Sequence, residues 1–379
     1  MDEPATGRTL GIAVYPGYGP EGTEEAIARR MEEAARRGYT EVFTSLHLPE
    51  ASPVATAERL ARLAGRARSL GLRLWADVAP SALAALGAAP DNLEPLASLG
   101  LSALRVDHGY DAAAVAAMTR NPYGLDVVVN ASTVRPAALD RILAAGARAE
   151  RLAACHNFYP RPETGLSIWW VHRLSSALAE RGIRVAAFVP SQHGRRGPLF
   201  AGLPTVERHR SLPPDRAATE LLALGCIHTL FFGDPGPSTD EMEAVRAVWR
   251  GDGIPLRVRL HRDITAVERA IVEAPVHVNR LDAAEAVVRS TTSRTSAGSA
   301  TAIPPRPAEP RPRGTVTVDN DRYLRYAGEL QVTLRDLPPD ERVNVVGWVL
   351  ADDLHLLDFL GPGARFRLVV DGRNPGRPS

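Results

Sequence analysis

Two aspartates and an arginine carry the residue types and spacing best suited to chemistry in this chain. Asp77 and Asp107 each stand where a buried apolar run ends. In the run Leu104-Arg105-Val106-Asp107-His108-Gly109, side chains alternate faces, so Arg105 and Asp107 share one face. Paired carboxylates are the usual means of cleaving a glycosidic bond: one donates a proton to the departing oxygen, and the other stabilises or attacks an oxocarbenium-like centre. Mutual repulsion and partial burial would raise the pKa of one of them, which suits a general acid near neutral pH. The competing expectation is that Arg105 locks one of them in an ion pair. Glu50 is the next catalytic candidate, with Glu163 in reserve.

Other polar residues stand at comparable places. Tyr15, His47, Asn130, His156, Asn157, Ser191, Gln192 and Asp234 lie at or just beyond the ends of apolar runs. The set holds acids, amides and ring donors, which suits a polyhydroxylated ligand needing many fixed donors and acceptors. Tyr15, His47, Arg105, Asn130, His156, Asn157 and Gln192 are therefore expected to bind substrate. A metal held by His47, Asp77, Asp107 and His156 is the rival use of these residues. No local ligand motif such as H-x-x-x-H supports it, and the expectation is no metal and no other cofactor. A phosphate signal lies further on, in Arg289-Ser290-Thr291-Thr292-Ser293-Arg294. Guanidinium forks match phosphate oxygens and hydroxyls complete such a shell, which makes Arg289, Ser290, Thr291 and Arg294 candidates. Arg195-Arg196 is a second candidate, because loops after strands seven and eight often hold phosphate in (β/α)₈ barrels.

The elements that must position these residues recur from Thr9 to about Trp249. Candidate strands are Leu10–Pro16, Glu41–His47, Arg73–Pro80, Ala103–His108, Asp126–Ala131, Leu152–Asn157, Arg184–Pro190 and Thr229–Asp234. Between them run alanine- and leucine-rich amphipathic segments, several ending at a glycine: Gly38, Gly71, Gly100, Gly146, Gly182 and Gly225. Eight strands alternating with eight helical stretches predict an α/β fold, a (β/α)₈ TIM barrel over residues 9–252. A doubly wound dinucleotide fold is excluded because Tyr15-Pro16-Gly17-Tyr18-Gly19 lacks the third glycine of a phosphate loop. Short β-like runs separated by turns then predict a small β-rich domain, with barrel closure as one form, over residues 253–371. Within it the proline-rich stretch 296–313 reads as a loop or linker. Residues 1–8 and 372–379 read as disordered ends.

Composition bounds the rest. Across 379 residues, 45% are hydrophobic, enough for a large core, and 45 basic residues nearly cancel 44 acidic ones. No global field favours nucleic acid or an anionic membrane. Every basic residue other than histidine is arginine, so lysine Schiff-base and lysine general-base chemistry are excluded. Cys155 and Cys226 form no C-x-x-C pair, and Cys155 reads as a buried thiol. No apolar run is long enough to span a membrane, and the N-terminus lacks a signal region, so the expectation is a cytoplasmic protein. A homodimer is left open.

Several blocks together resemble the bacterial 6-phospho-N-acetylmuramidase family. They include Leu10-Gly11-Ile12-Ala13-Val14-Tyr15-Pro16, Phe43-Thr44-Ser45-Leu46-His47, Arg105 through Tyr110, Asn121-Pro122-Tyr123-Gly124-Leu125 and Cys155-His156-Asn157-Phe158-Tyr159-Pro160. Gly202-Leu203-Pro204-Thr205 with Glu207, His209 and Arg210, Tyr326 through Gln331, and Arg342 through Gly347 extend the likeness over nearly the whole chain. The resemblance implies a barrel joined to a cyclophilin-like β domain, and adds Glu207 to the substrate-binding candidates. It implies release of 6-phospho-N-acetylmuramic acid from a phosphorylated amino-sugar disaccharide during peptidoglycan recycling; the leading expectation is a metal-independent glycoside hydrolase with its site at the C-terminal face of the barrel and the second domain closing over the phosphate. The rival functions are a phosphosugar isomerase or lyase and a non-catalytic sugar-phosphate binding protein.

Overall fold

The computed structural model describes residues 7–45, 53–78, 80–107, 109–296 and 302–371. The chain divides after Arg250 into two compact units. In the first, eight parallel strands pair in chain order: β1 (Thr9–Ala13), β2 (Glu41–Ser45), β3 (Arg73–Val78), β4 (Ala103–Val106), β5 (Asp126–Asn130), β6 (Leu152–Cys155), β7 (Arg184–Val189) and β8 (Thr229–Phe232). β8 pairs back onto β1, with Thr9 opposite Thr229, and closes the barrel. The helices between them are α1 (Glu24–Arg36), α2 (Pro53–Ser69), α3 (Pro80–Ala85) with α4 (Glu94–Leu99), α5 (Ala112–Thr119), α6 (Pro136–Ala144), α7 (Ile168–Ala179), α8 (Pro214–Ala223) and α9 (Thr239–Trp249).

Local chemistry explains where these helices start and stop. Thr23, Asp111 and Ser167 cap α1, α5 and α7 by accepting a backbone N–H from the first turn, and Ser238 with Glu241 forms a capping box on α9. All six glycines expected at helix ends have positive φ. At Gly100, φ is 93° and the N–H bonds back to Ala97, closing α4.

The barrel interior is filled by inward-facing side chains, among them Phe43, Trp75, Val128, Cys155, Phe188 and Phe231. A Cβ on Gly11 would fall 2.3 Å from the Phe231 ring, so β1 needs glycine there. At the N-terminal end of the strands, Arg73 and Arg184 pair with Asp126, and the Trp75 indole donates to Glu41 over 2.6 Å. Burial pushes the Glu41 carboxyl up. Polar groups therefore seal the bottom, aromatic groups fill the middle, and a second polar layer is left at the C-terminal ends of the strands.

The second unit contains β9 (Ile254–Leu260), α10 (Ala266–Val272), β10 (His277–Val278), β11 (Val287–Arg289), α11 (Ser293–Ser296), β12 (Thr315–Asp319), β13 (Leu330–Thr333), β14 (Val343–Val349) and β15 (Arg365–Val370). They form one mostly antiparallel sheet, ordered β10-β15-β9-β14-β12-β13-β11, in which β9 and β15 are parallel. Its two ends touch through an Asn279–Ser290 bridge, so the sheet bends round toward a barrel.

β11 leads straight into the Arg289–Arg294 stretch. The described part of the proline-rich stretch, 302–313, is loop, as expected, but it is anchored to the domain at particular residues. Ile303 is buried, and Arg306 donates to Glu268 over 2.9 Å and to the Val345 carbonyl over 2.7 Å. Proline cannot join a ladder, so arginine side chains supply the hydrogen bonds instead.

Candidate active site

Residues at the C-terminal ends of β1, β2, β3, β4, β6 and β7 line a cavity of about 450 Å³. Arg105 is its centre. The guanidinium is almost fully buried and donates to Asp77 over 2.9 Å and to the Asn157 side chain. It also lies 3.6 Å from Asp107. Strand register explains this: Asp77 on β3 stands opposite Arg105 on β4, and Asp107, two residues on, just past the end of β4, follows Arg105 on the same face. The bare repulsion expected between two carboxylates is thus replaced by a shared cation. Asp77 is the more enclosed of the two, with 13% of its side chain exposed against 30% for Asp107.

Amides link this array. The Asn130 amide donates to Asp107 and, over 3.2 Å, to the Asn157 carbonyl oxygen, while its own oxygen accepts the Ser132 N–H. His156 is held by two serines. It is fully buried, with Nδ1 3.1 Å from the Ser132 hydroxyl and Nε2 2.9 Å from that of Ser175. Both ring nitrogens are spent inside the protein. Burial, helped by the charge of Arg105, pushes its pKa down to about 3, so the ring is neutral. The Ser132 oxygen also accepts the Asn157 N–H over 3.0 Å, so His156 helps to position Asn157, and its ring is also among the residues that line the cavity. Beneath the array, burial pushes the Cys155 thiol up to about 12, which makes it an inert part of the core.

The opposite wall is aromatic. Tyr15, Phe43, Phe158 and Phe188 line it in edge-to-face contacts, with ring centres 5.2–6.2 Å apart. Tyr15 donates its hydroxyl to the Gly233 carbonyl over 2.7 Å, which leaves its ring as the working surface. Arg196 lies over that ring at 4.4 Å and over Phe158 at 5.1 Å, and it makes no ion pair among the described residues. Its loop is pinned by Asp234 at the end of β8, which accepts the N–H groups of Ser191, Arg196 and Leu203. Burial still pushes the Asp234 carboxyl above its usual range. Gly194 and Gly236 exchange two backbone hydrogen bonds beside it, and a Cβ on Gly194 would fall 2.4 Å from the Gly236 oxygen.

Other expected site residues are placed elsewhere. Gln192 donates to the carbonyls of Arg210 and Leu212 and is outside the cavity lining. Glu207 is forked to Arg210 at 2.7 Å and accepts the N–H groups of Glu163 and Gly165. These bonds, chiefly the one with Arg210, hold its carboxyl down at about 2, and its task is to clasp the 163–165 loop. Glu163 is exposed on that loop. His47 and Glu50 lie outside the described residues.

The phosphate candidates of the second unit are also engaged. Arg289 forks onto Glu329 at 2.7 and 3.0 Å. The Ser290 hydroxyl is buried 3.0 Å from His277, Thr291 donates to the Val278 carbonyl, and Arg294 donates to that of Arg325. The reason is the strand β11: its pairing with β13 sets Arg289 opposite Gln331, two residues from Glu329. Sequence reasoning passed over the aromatic wall. Its signal was the in-phase placement of Phe43 and Phe188 with other inward residues, and of Phe158 just beyond Asn157.

Family models described as "6-phospho-N-acetylmuramidase, N-terminal" and "6-phospho-N-acetylmuramidase, C-terminal" match residues 10–247 and 254–369. An uncharacterized B. cereus protein of known structure shares 34% identity, over 96% of this chain and 99% of that one, with a TM-score of 0.79. A conserved protein of unknown function from an Enterococcus faecalis locus shares 35%, over 96% and 97%, with a TM-score of 0.63. No curated protein matches the chain. Among the described residues no helix is long and apolar enough to cross a membrane.

Proposed function

The chain belongs to the 6-phospho-N-acetylmuramidase family, and we propose that it is a metal-independent glycoside hydrolase releasing 6-phospho-N-acetylmuramic acid from a phosphorylated cell-wall disaccharide. The observation that carries this reading is the Asp77–Arg105–Asp107 array in a polar cavity faced by aromatic rings. Asp77, bonded directly to the guanidinium, supplies the carboxylate that stabilises positive charge at the anomeric carbon. Asp107 is the more exposed of the two at the cavity mouth, and in this reading it donates the proton to the departing oxygen. The C–O bond breaks as that proton arrives, water adds its hydroxyl to the anomeric carbon, and the proton the water gives up restores the acid. The aromatic wall takes the apolar face of the ring. Arg196, with no carboxylate partner among the described residues, takes the anionic group of the sugar. The place of this reaction would be the cytoplasm, in peptidoglycan recycling.

The test is turnover of a chromogenic N-acetylmuramic acid 6-phosphate glycoside beside its unphosphorylated twin, with chelator present. Cleavage of the phosphorylated compound alone, lost in Asp107→Asn, supports the reading. A folded wild type that cleaves neither compound refutes it.

A further inference from the structure

Arg196 lies on the rings that a sugar would have to use. Tyr15 lines the cavity, yet only 3% of it is exposed. It meets Phe158 edge to face, and the Arg196 guanidinium carbon lies over both rings, 4.4 Å from the centre of Tyr15 and 5.1 Å from that of Phe158. A pyranose stacked on these rings needs its carbon atoms at ~3.5–4.0 Å from them. The guanidinium fills that layer, and no sugar ring fits beneath it. The backbone of Arg196 is fixed on both sides. Its N–H donates to Asp234 over 3.0 Å, and its carbonyl accepts the Phe200 N–H over 3.2 Å. The side chain rests on the two rings and makes no ion pair among the described residues, so a change of rotamer uncovers them without moving the loop.

We propose that Arg196 is a gate on the aromatic wall, opened by the anionic group of the sugar. This rests on the reading of Arg196 given under the hydrolase proposal. A ligand opens such a gate only by binding the open state better. An anion does so, because a charge-assisted hydrogen bond to the guanidinium outweighs its contact with a ring face. The same step that captures the anion clears Tyr15 and Phe158 for the sugar ring. A neutral sugar has no such handle and meets a covered wall. Selectivity for an anionic sugar then has two sources, attraction to the cation and exclusion of neutral rings. Two cation–π contacts favour the closed state by about tenfold, and the affinity of a neutral ring falls by the same factor.

Arg196→Ala separates a gate from a simple anion site. Calorimetry on the intact chain compares a neutral pyranose, methyl N-acetylglucosaminide, with N-acetylmuramic acid 6-phosphate. The variant should bind the phosphosugar at least tenfold more weakly and the neutral sugar about tenfold more tightly. Arg196→Lys, which returns a cation to the rings, should move both affinities back toward those of the wild type. A simple anion site loses the phosphosugar and leaves the neutral sugar untouched. Neutral-sugar affinity that is unchanged or lower in folded Arg196→Ala therefore overturns the gate, and no detectable binding of that sugar by the variant counts the same way. The hydrolase reading is checked separately, by wild-type turnover of the phosphorylated glycoside, and failure there removes the premise on which the gate rests.

Discussion

Replacing Arg105 with methionine keeps most of the side-chain volume and removes the cation. In the native barrel this guanidinium has 4% of its side chain exposed and holds Asp77, itself 13% exposed, at 2.9 Å. Taking one partner from a buried pair leaves an uncompensated charge, at a cost of about 3–5 kcal/mol. Asp107, at 3.6 Å and more exposed, adds less because water reaches it. For a unit of this size about 2–4 °C is lost per kcal/mol, so Arg105→Met should lower the melting temperature by about 6–20 °C. The diagnostic step is the double variant Arg105→Met/Asp77→Asn. Neutralising Asp77 removes the charge that has lost its guanidinium, so the double should be more stable than Arg105→Met alone, with a coupling energy of about 2 kcal/mol or more. Urea denaturation of the intact chain, followed through tryptophan fluorescence including that of Trp75, reads both quantities. Arg105→Met costing under about 1 kcal/mol, or single-variant costs that simply add, would refute the buried-pair argument. Neither variant should turn over substrate.

Three further outcomes are expected. His156 is held below its unfolded pKa of 6.5, so its stabilising share is complete above that pH and fades as the pH falls toward 3. Between pH 8 and pH 5 the wild type should therefore lose about 2 kcal/mol more than His156→Gln, by denaturation at each pH, and parallel curves would count against a neutral buried ring. Asp319 has the opposite sign: burial, then the charges of Glu329 and Asp340, push its carboxyl up to about 8. Its contribution is full in acid and lost as the pH rises through 8, so the advantage of Asp319→Asn over wild type should grow from pH 5 to pH 8, and a constant difference would contradict it. Arg196→Met should raise KM for a phosphorylated substrate about 10–100-fold, from the ~1.5–3 kcal/mol carried by a charge-assisted hydrogen bond, with a smaller effect on the unphosphorylated twin. Equal effects on both would take the phosphate away from Arg196.

The barrel was legible because its signals are local. Each strand is a short apolar run, most of the helices are amphipathic, α1, α5, α7 and α9 carry side-chain caps, and the closing glycines stand where the residue order puts them. Period-two alternation was enough to predict that Asp77, Arg105, Asp107, Asn130 and Asn157 would converge at the strand ends. The anchoring of 302–313 was not legible, since it comes from Arg306 reaching Glu268 and Val345, partners 38 and 39 residues away.

What the sequence determined by itself was the element order, the barrel and the set of polar residues at its mouth, all of which follow from local pattern and strand phase. Only the tertiary structure decided what each of those residues has left to offer. His156, Gln192, Glu207 and Arg289 are as polar in sequence as Asp107 and Arg196, yet their hydrogen-bonding capacity is spent on Ser132 and Ser175, on two carbonyls, on Arg210 and on Glu329. A buried polar group must be satisfied, and the partner that satisfies it is set by strand register and loop packing across long sequence distances.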